Sequence, residues 1–317
     1  MYAFLPTLKG GISRCKKMNL DIDIPRVALV AFVLVVGGTL AIGGATSGVA
    51  FDAFNPDWDG TSELQSAVEA DGSDPVIVQN TTRYEGHGGN ATAFVLAPVE
   101  PYTDADIERL RAFLDRGGTL VVADRDGPHG AALLDGLGAN ARPAGSLLRD
   151  ERHYHRDPAL PIATDVGNHT FVAGVDTLTL NYGTAIEPDG ATVLVSSSSF
   201  AYLDLDGSGS LSDNETLASY PVATVEPIGN GSVVAVGDPS IFINVMQERG
   251  GNRAFISALV AETDTALIDI SRSGSPPPLI ALLLTIRESV FLQAVLGLGG
   301  LAVLRVGSLK LRKRRSN

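Results

Sequence analysis

Oxygen-bearing side chains recur through Asp204-Leu-Asp206-Gly-Ser208-Gly209-Ser210-Leu211-Ser212-Asp-Asn-Glu215 at the spacing of a calcium loop. Calcium takes six to eight oxygens around a tight turn, and a twelve-residue loop supplies them from positions one, three, five, seven, nine and twelve. Asp204, Asp206 and Ser208 would ligate directly, Ser210 through its carbonyl, Ser212 through a water, and Glu215 with both carboxylate oxygens. Gly209 stands at six, where the turn is sharpest, and Leu211 at eight. The context departs from a helix-loop-helix hand: Ala191–Ser196 reads as a strand and Pro221 follows closely. The expectation is therefore a single structural calcium loop rather than a paired sensor, with an acidic surface turn as the alternative.

A second set of polar residues follows predicted strands. Asp124, His129, Asp238, Ser240 and Asn244 fall where parallel strands end, and open parallel sheets bind ligands beyond their carboxyl ends. A pocket lined by Asp124, Asp238 and His129 is one reading. The other is that an Asp after a strand caps the next helix or turn. His153-Tyr-His155 would place two imidazoles on one face of a strand, but no third ligand accompanies them, which favours a solvated loop pair. The chain has no GxSxG, GxxxxGK[ST], HExxH or GxGxxG signature. Its one cysteine, Cys15, precedes the first apolar segment, so the region beyond has neither a thiol nucleophile nor a disulfide.

The elements that must position these residues are legible in part. Ser62–Ala70 has a short helical pattern, and Pro75–Gln79 and Thr92–Ala97 read as strands. Thr103 caps a helix with acids in its first turn and Ile107, Leu110, Phe113 and Leu114 in one stripe; Gly117-Gly118 ends it before the strand Thr119–Ala123. Strand, helix, strand at this spacing is a βαβ unit, so a parallel sheet follows. A short helix is expected at Ala131–Leu137 and an irregular excursion over residues 140–190, with strands near Thr170–Val172 and Thr177–Leu180. Ala191–Ser196, Pro221–Val225 and Ser232–Val236 read as strands. Ser240 onward is helical, and Asn252 opens a helix through Val260.

Charge divides the 317 residues into three parts. Residues 1–46 and 279–317 are basic, whereas residues 47–278 carry twelve Arg, no Lys and thirty-three Asp or Glu. Such a surface repels nucleic acid, so no nucleic-acid partner is expected. Val27–Phe51 contains no charge and follows Arg14, Lys16, Lys17 and Arg26; Leu279–Val306 is interrupted by Arg287 and Glu288, runs without charge from Ser289 to Leu304 and precedes a basic tail. Both read as membrane spans with their basic flanks cytoplasmic, which places the acidic middle outside the cell. The expected organisation is a cytoplasmic N-terminus over 1–24, with Met18 an alternative start, then a signal anchor over 25–50. An extracellular α/β domain over 51–270, a Ser/Pro linker over 271–278, a transmembrane helix over 279–306 and a cytoplasmic tail over 307–317 complete it. Cleavage after Ala50 is an alternative fate for the first span.

Five Asn-x-Ser/Thr sequons, at Asn80, Asn90, Asn168, Asn214 and Asn230, all fall in the middle region. About one or two are expected by chance, so the excess agrees with a glycosylated exterior.

Three stretches, Ala93–Asp124, Thr177–Ile186 and Val233–Val260, resemble a family of archaeal and bacterial membrane-anchored proteins, the domain of unknown function four-three-five-zero. The resemblance implies a flavodoxin-like or class I glutamine amidotransferase-like α/β fold: a mostly parallel sheet with helices on both faces, flanked by two transmembrane helices. In amidotransferases of that fold a Cys-His-Glu triad is catalytic, and the absence of Cys from this exterior withholds that activity. The Asp-rich, all-Arg composition also resembles proteins of salt-loving archaea. The expected function is a non-catalytic binding or accessory subunit, held in lipid by two spans and partnered by a membrane or surface protein. The alternative is a hydrolytic, metal-assisted ectoenzyme using the acidic and His residues at the sheet edge.

Overall fold

A computed structural model describes residues 24–274, 277–295 and 298. Helix α1 (Ile24–Ala45) precedes α2 (Ser62–Ala70), β1 (Asp74–Val78), β2 (Ala91–Leu96), α3 (Asp104–Asp115), β3 (Thr119–Ala123) and α4 (Pro128–Leu137). Next come β4 (Arg142–Asp150), β5 (Ile162–Ala163), β6 (Asp165–Val166), β7 (Leu178–Thr179), β8 (Thr184–Glu187), β9 (Thr192–Ser196) and β10 (Ala201–Asp204). The chain continues through β11 (Pro221–Ile228), β12 (Gly231–Val236), α5 (Asn244–Gln247), α6 (Asn252–Val260), β13 (Thr265–Asp269) and α7 (Pro278–Glu288).

The main sheet has eight strands in the order β1-β13-β2-β3-β12-β11-β9-β6. The first five run parallel, and β11, β9 and β6 extend the sheet antiparallel. Helices cover both faces, so the central strands are buried on both sides and read as unbroken apolar runs. On one face Phe94, Val121 and Val234 pack with Leu64 and Val68 of α2 and Phe255, Ile256 and Leu259 of α6. On the other, Val95, Leu120, Val122 and Val233 pack with Leu110, Phe113 and Leu114 of α3 and Leu133, Leu134 and Leu137 of α4. Truncating one such leucine to alanine costs about 2–5 kcal/mol.

The N-terminus of α3 is a full capping box, in which the Thr103 side chain accepts from the Asp106 amide and the Asp106 carboxylate accepts from the Thr103 amide. Several expectations are corrected. Residues 140–190 are not simply irregular: β4 forms a separate three-stranded sheet between β10 and β8. Thr170–Val172 is a 3-10 turn instead of a strand, because the His169 side chain accepts from the Phe171 amide and caps it. The strand β13, which sequence reasoning did not assign, lies between β1 and β2.

Val27–Ala45 is long and apolar enough to cross a membrane. The helix stops at Ala45, short of the expected Phe51, because Ser47 already pairs with Phe54. Among the described residues no second helix has that length: α7 ends at Glu288, and Ser289 is extended at φ −106° and ψ 103°. Cys15, Met18 and the basic tail over 307–317 lie outside the described residues, as do residues 296–297 and 299–306 of the expected span over 279–306.

Candidate functional site

Adjacent strands β3 and β12 send their chains to opposite faces of the sheet. The connection after β3 enters α4, whose leucines pack on one face, while that after β12 enters Ile241, Phe242 and then α6 on the other. Such a reversal opens a crevice beyond the strand ends, the usual ligand position in open α/β sheets. Asp124 follows β3 directly and Asp238 follows β12 after Gly237, so both predicted carboxylates stand at this crevice. They are 5% and 1% exposed, respectively.

Their oxygens are already engaged. Asp124 accepts from the amides of Arg125 (2.8 Å), Gly127 (3.1 Å) and Gly130 (3.0 Å), which fastens the start of α4. Asp238 accepts from the amides of Ser240 (2.8 Å) and Asn181 (2.5 Å). Burial pushes the Asp238 carboxyl up to about 6 against the opposing pull of those amides and of Arg125. Burial likewise raises Asp124, again against its three amide donors.

The segment Asn181–Gly183 fills the crevice. Arg125 Nη1 donates to Tyr182 O at 3.2 Å, the Thr184 amide to Gly237 O at 2.9 Å, and the Ser240 hydroxyl to Asn181 O at 3.4 Å. Gly183 permits the approach, since a Cβ there would lie 2.8 Å from Asp238 Cβ. Tyr182 is held at φ +58°, a left-handed conformation that bulky residues rarely adopt. His129 is half-buried in the first turn of α4 and, among the described residues, makes no hydrogen bond or ion pair to either carboxylate.

Asn244 has a different role from the one its place at the strand ends suggested. Its Nδ2 donates to Asn55 O, Asp57 O and Ser62 Oγ, and its Oδ1 accepts from the Glu63 amide. It clamps the segment after α1 to the start of α2. His153-Tyr-His155 is loop, not strand: His153 stacks on Phe200, whose ring also carries the Arg152 guanidinium at 4.0 Å.

Sequence reasoning missed two further buried carboxylates at the same sheet edge, Asp269 and Asp106. Asp269 ends β13 and accepts from the Tyr84 hydroxyl and the Ser271 amide, each at 2.7 Å; burial raises its carboxyl. Burial alone would raise Asp106 too, but hydrogen bonds from Thr81, Thr103 and Arg272 outweigh it and hold that carboxyl well below its usual range. The signal for Asp106 was its place in the capping box, whereas Asp269 was hidden by the unassigned strand before it. Asp106 fastens Arg272, at the start of the linker, to the domain, and Asp269 holds the neighbouring Ser271.

The loop from Asp204 to Glu215 leaves the end of β10, and its base is closed by the Ala218 amide donating to Ala201 O. Carboxylate oxygens of Asp204, Asp206 and Glu215 lie within 4.8 Å of one another. The Gly209 amide donates to Asp204 Oδ2 at 3.1 Å, with Gly209 at φ +75°, so glycine suits the sixth position. Hydrogen bonds from the Ser208 hydroxyl and amide and the Ser212 hydroxyl lower the Asp206 carboxyl. The Leu205 and Ser212 amides donate to the two oxygens of Glu215. Arg149 Nε holds Asp204 Oδ2 at 2.9 Å. Asp204 Oδ1 and the Tyr202 hydroxyl, by contrast, are buried with no hydrogen-bond partner among the described residues. Burial, with the charge of Glu151 next, raises the Tyr202 hydroxyl to about 12, and Asp204 and Glu215 add to the shift.

Residues 53–260 match the family model described as domain of unknown function (DUF4350), and the chain belongs to that family. No curated protein matches. Among solved structures, the mmIFT52 N-terminal domain is similar at 17% identity and a TM-score of 0.43, over 57% of this chain and 78% of that one. The beta-galactosidase of the Antarctic haloarchaeon Halorubrum lacusprofundi is similar at 16% identity and a TM-score of 0.37, over 66% of this chain and 27% of that one. The exo-beta-1,4-mannosidase Op5Man5 of Opitutaceae bacterium strain TAV5 is similar at 17% identity and a TM-score of 0.30, over 54% and 25%. The chain thus spans about a quarter of either glycosidase.

Proposed function

We propose that this family member is a membrane-anchored extracellular domain that acts by binding, as an accessory subunit of a surface assembly, rather than by catalysis. The observation that carries this reading is the Asn181–Gly183 segment in the crevice at the switch between β3 and β12. A ligand bound there must compete with the chain's own backbone for Asp124 and Asp238. An ectoenzyme would need those carboxylates free to exchange a proton or hold a metal, and here both are spent on amides.

Anchoring is supported by the apolar helix Val27–Ala45, by the second apolar segment and by the basic flanks. The extracellular placement of the middle is supported by all five sequon asparagines, Asn80, Asn90, Asn168, Asn214 and Asn230, being exposed. The composition favours a salt-loving archaeal source, where an acidic surface stays hydrated. The amidotransferase-like fold that the sequence resemblance implies is supported by the helices on both faces of a largely parallel sheet.

The loop from Asp204 to Glu215 is proposed to hold a structural calcium ion. Its support is the combination of ligand spacing, the left-handed Gly209 and the buried Asp204 Oδ1, which is left without a hydrogen bond while Arg149 holds the other oxygen. Asp204, Asp206, Ser208, the Ser210 carbonyl, Ser212 and Glu215 would supply the oxygens.

Co-purification of the tagged full-length chain from native membranes after mild cross-linking tests the accessory role. A partner at constant stoichiometry is expected. Recovery of the chain alone would argue against it.

A further inference from the structure

The segment that follows α1 carries the chain's only tryptophan, Trp58, and it is 63% exposed. That segment has a defined shape. The Ser47 amide donates to Phe54 O at 3.0 Å and the Phe51 amide to Asp59 O at 2.9 Å. Asn55, fully buried, donates from Nδ2 to Val49 O and Asp59 Oδ1 and accepts the Asp57 amide at Oδ1. Asn244 clamps the same turn from the sheet edge. Phe51 is held at φ +61° within this network, a conformation that persists only where the surroundings dictate it. Trp58 is therefore presented on a fixed support, not on a mobile tail.

The distance from the end of α1 is short. Only Thr46 separates Ala45 from Ser47. Two residues of chain and one hydrogen bond keep the Phe54 backbone within about 10 Å of the helix end. At 1.5 Å per residue Val27–Ala45 extends about 28 Å, close to the roughly 30 Å hydrocarbon core of a bilayer. The residues just past Ala45 accordingly fall in the headgroup layer, which adds about 5–8 Å on each side. Leu279, at the start of the second apolar segment, meets the same point: a Cβ on Gly44 would lie 3.3 Å from Leu279 Cβ.

We infer that residues 47–61 rest in the headgroup layer of the anchoring bilayer, with the Trp58 indole inserted at the interface. Tryptophan favours that layer because its ring is apolar and its N–H is polar. The surrounding surface suits the same partner. Val49 is 51% exposed, and Val245, 38% exposed, donates its amide to Trp58 O. Asp57 beside it is also exposed, so the contact is apolar rather than electrostatic and does not select anionic lipid. The inference rests on the membrane-anchored reading and adds a depth to it: the turn that carries Trp58 lies at the interface.

The test uses the full-length protein reconstituted in phosphatidylcholine vesicles, with and without lipids brominated at defined acyl positions. Trp58→Phe provides the background, since it removes the sole indole. The expected result is a blue-shifted Trp58 emission, quenched most by bromines nearest the headgroup and weakly by aqueous iodide. If the protein floats with the vesicles but Trp58 is quenched by iodide and by no brominated lipid, the interfacial placement is overturned while anchoring stands. If the protein does not float, anchoring itself fails, and this inference with it.

Discussion

The backbone N–H of Asn181 donates to Asp238 Oδ2 at 2.5 Å, which joins the long excursion between α4 and β11 to the carboxyl edge of the sheet. That bond occupies the acceptor a ligand in the crevice would use. It also explains why a carboxylate 1% exposed is tolerated there, since its charged form keeps two amide donors and a nearby guanidinium.

Asp238 gives a pH dependence of definite sign. Its carboxyl titrates near 6 in the folded protein, raised by burial from 3.8. Between those values the unfolded chain has released a proton that the folded protein retains, so this group's contribution is fully present below the lower value. It is lost as pH rises to about 6, amounting to roughly 3 kcal/mol at most. In Asp238→Asn that dependence disappears. Urea unfolding of both proteins across this range should show the wild type losing stability relative to the variant as pH rises, and parallel curves would contradict the assignment.

Asp106 has the opposite sign. Its carboxyl is held below the ordinary value of 3.8, so its stabilisation is present above that value and is lost as pH falls through it towards the lower folded value. Asp106→Ala should cost about 3 kcal/mol near neutral pH, because Arg272 loses its partner and the α3 cap loses one half. Acid unfolding should begin at the same pH in the variant and the wild type if this pair contributes nothing.

Calcium should stabilise the chain. With a dissociation constant in the range of extracellular modules, 1 mM calcium adds about 0.4–1.4 kcal/mol. A thermal shift should appear with calcium, less with magnesium, and disappear in Glu215→Gln and Asp204→Asn. A response preserved in both variants would place the ion elsewhere.

Asn244→Ala should cost roughly 2–3 kcal/mol, since it removes four hydrogen bonds, one buried and three part-buried, that tie the 47–63 segment. Limited proteolysis should then cut within that segment before any other part of the domain. Unchanged cleavage would show that Asn55 holds the turn by itself.

Where local signals agreed with tertiary burial, the fold was legible in the sequence. Thr103 with its acidic first turn, the Leu110–Phe113–Leu114 stripe and the runs at 119–123 and 232–236 all became the expected elements. The strand β13 was missed although Ala266, Leu267 and Ile268 form an apolar run. Five residues are too few to separate a strand from a helix end by periodicity, and only pairing with β1 and β2 settles it. The site was legible as a set of residue types: Asp124 and Asp238 follow the ends of the adjacent strands β3 and β12. The occupant of that crevice was not, because the contact between Asn181 and Asp238 spans 57 residues and depends on Tyr182 adopting a conformation its residue type disfavours. The role of Asn244 was hidden for the same reason, since its partners begin at Asn55, 189 residues away.

The measurement that tests the closed crevice most directly is native-state hydrogen exchange of the Asn181 and Thr184 amides, compared with core amides of β3 and β12. The account predicts that Asn181 and Thr184 exchange as slowly as the core, through global unfolding alone. Fast exchange at these two positions, with the sheet still protected, would mean that the segment opens readily. It would then expose Asp124 and Asp238 to a ligand and contradict a crevice closed by the chain itself.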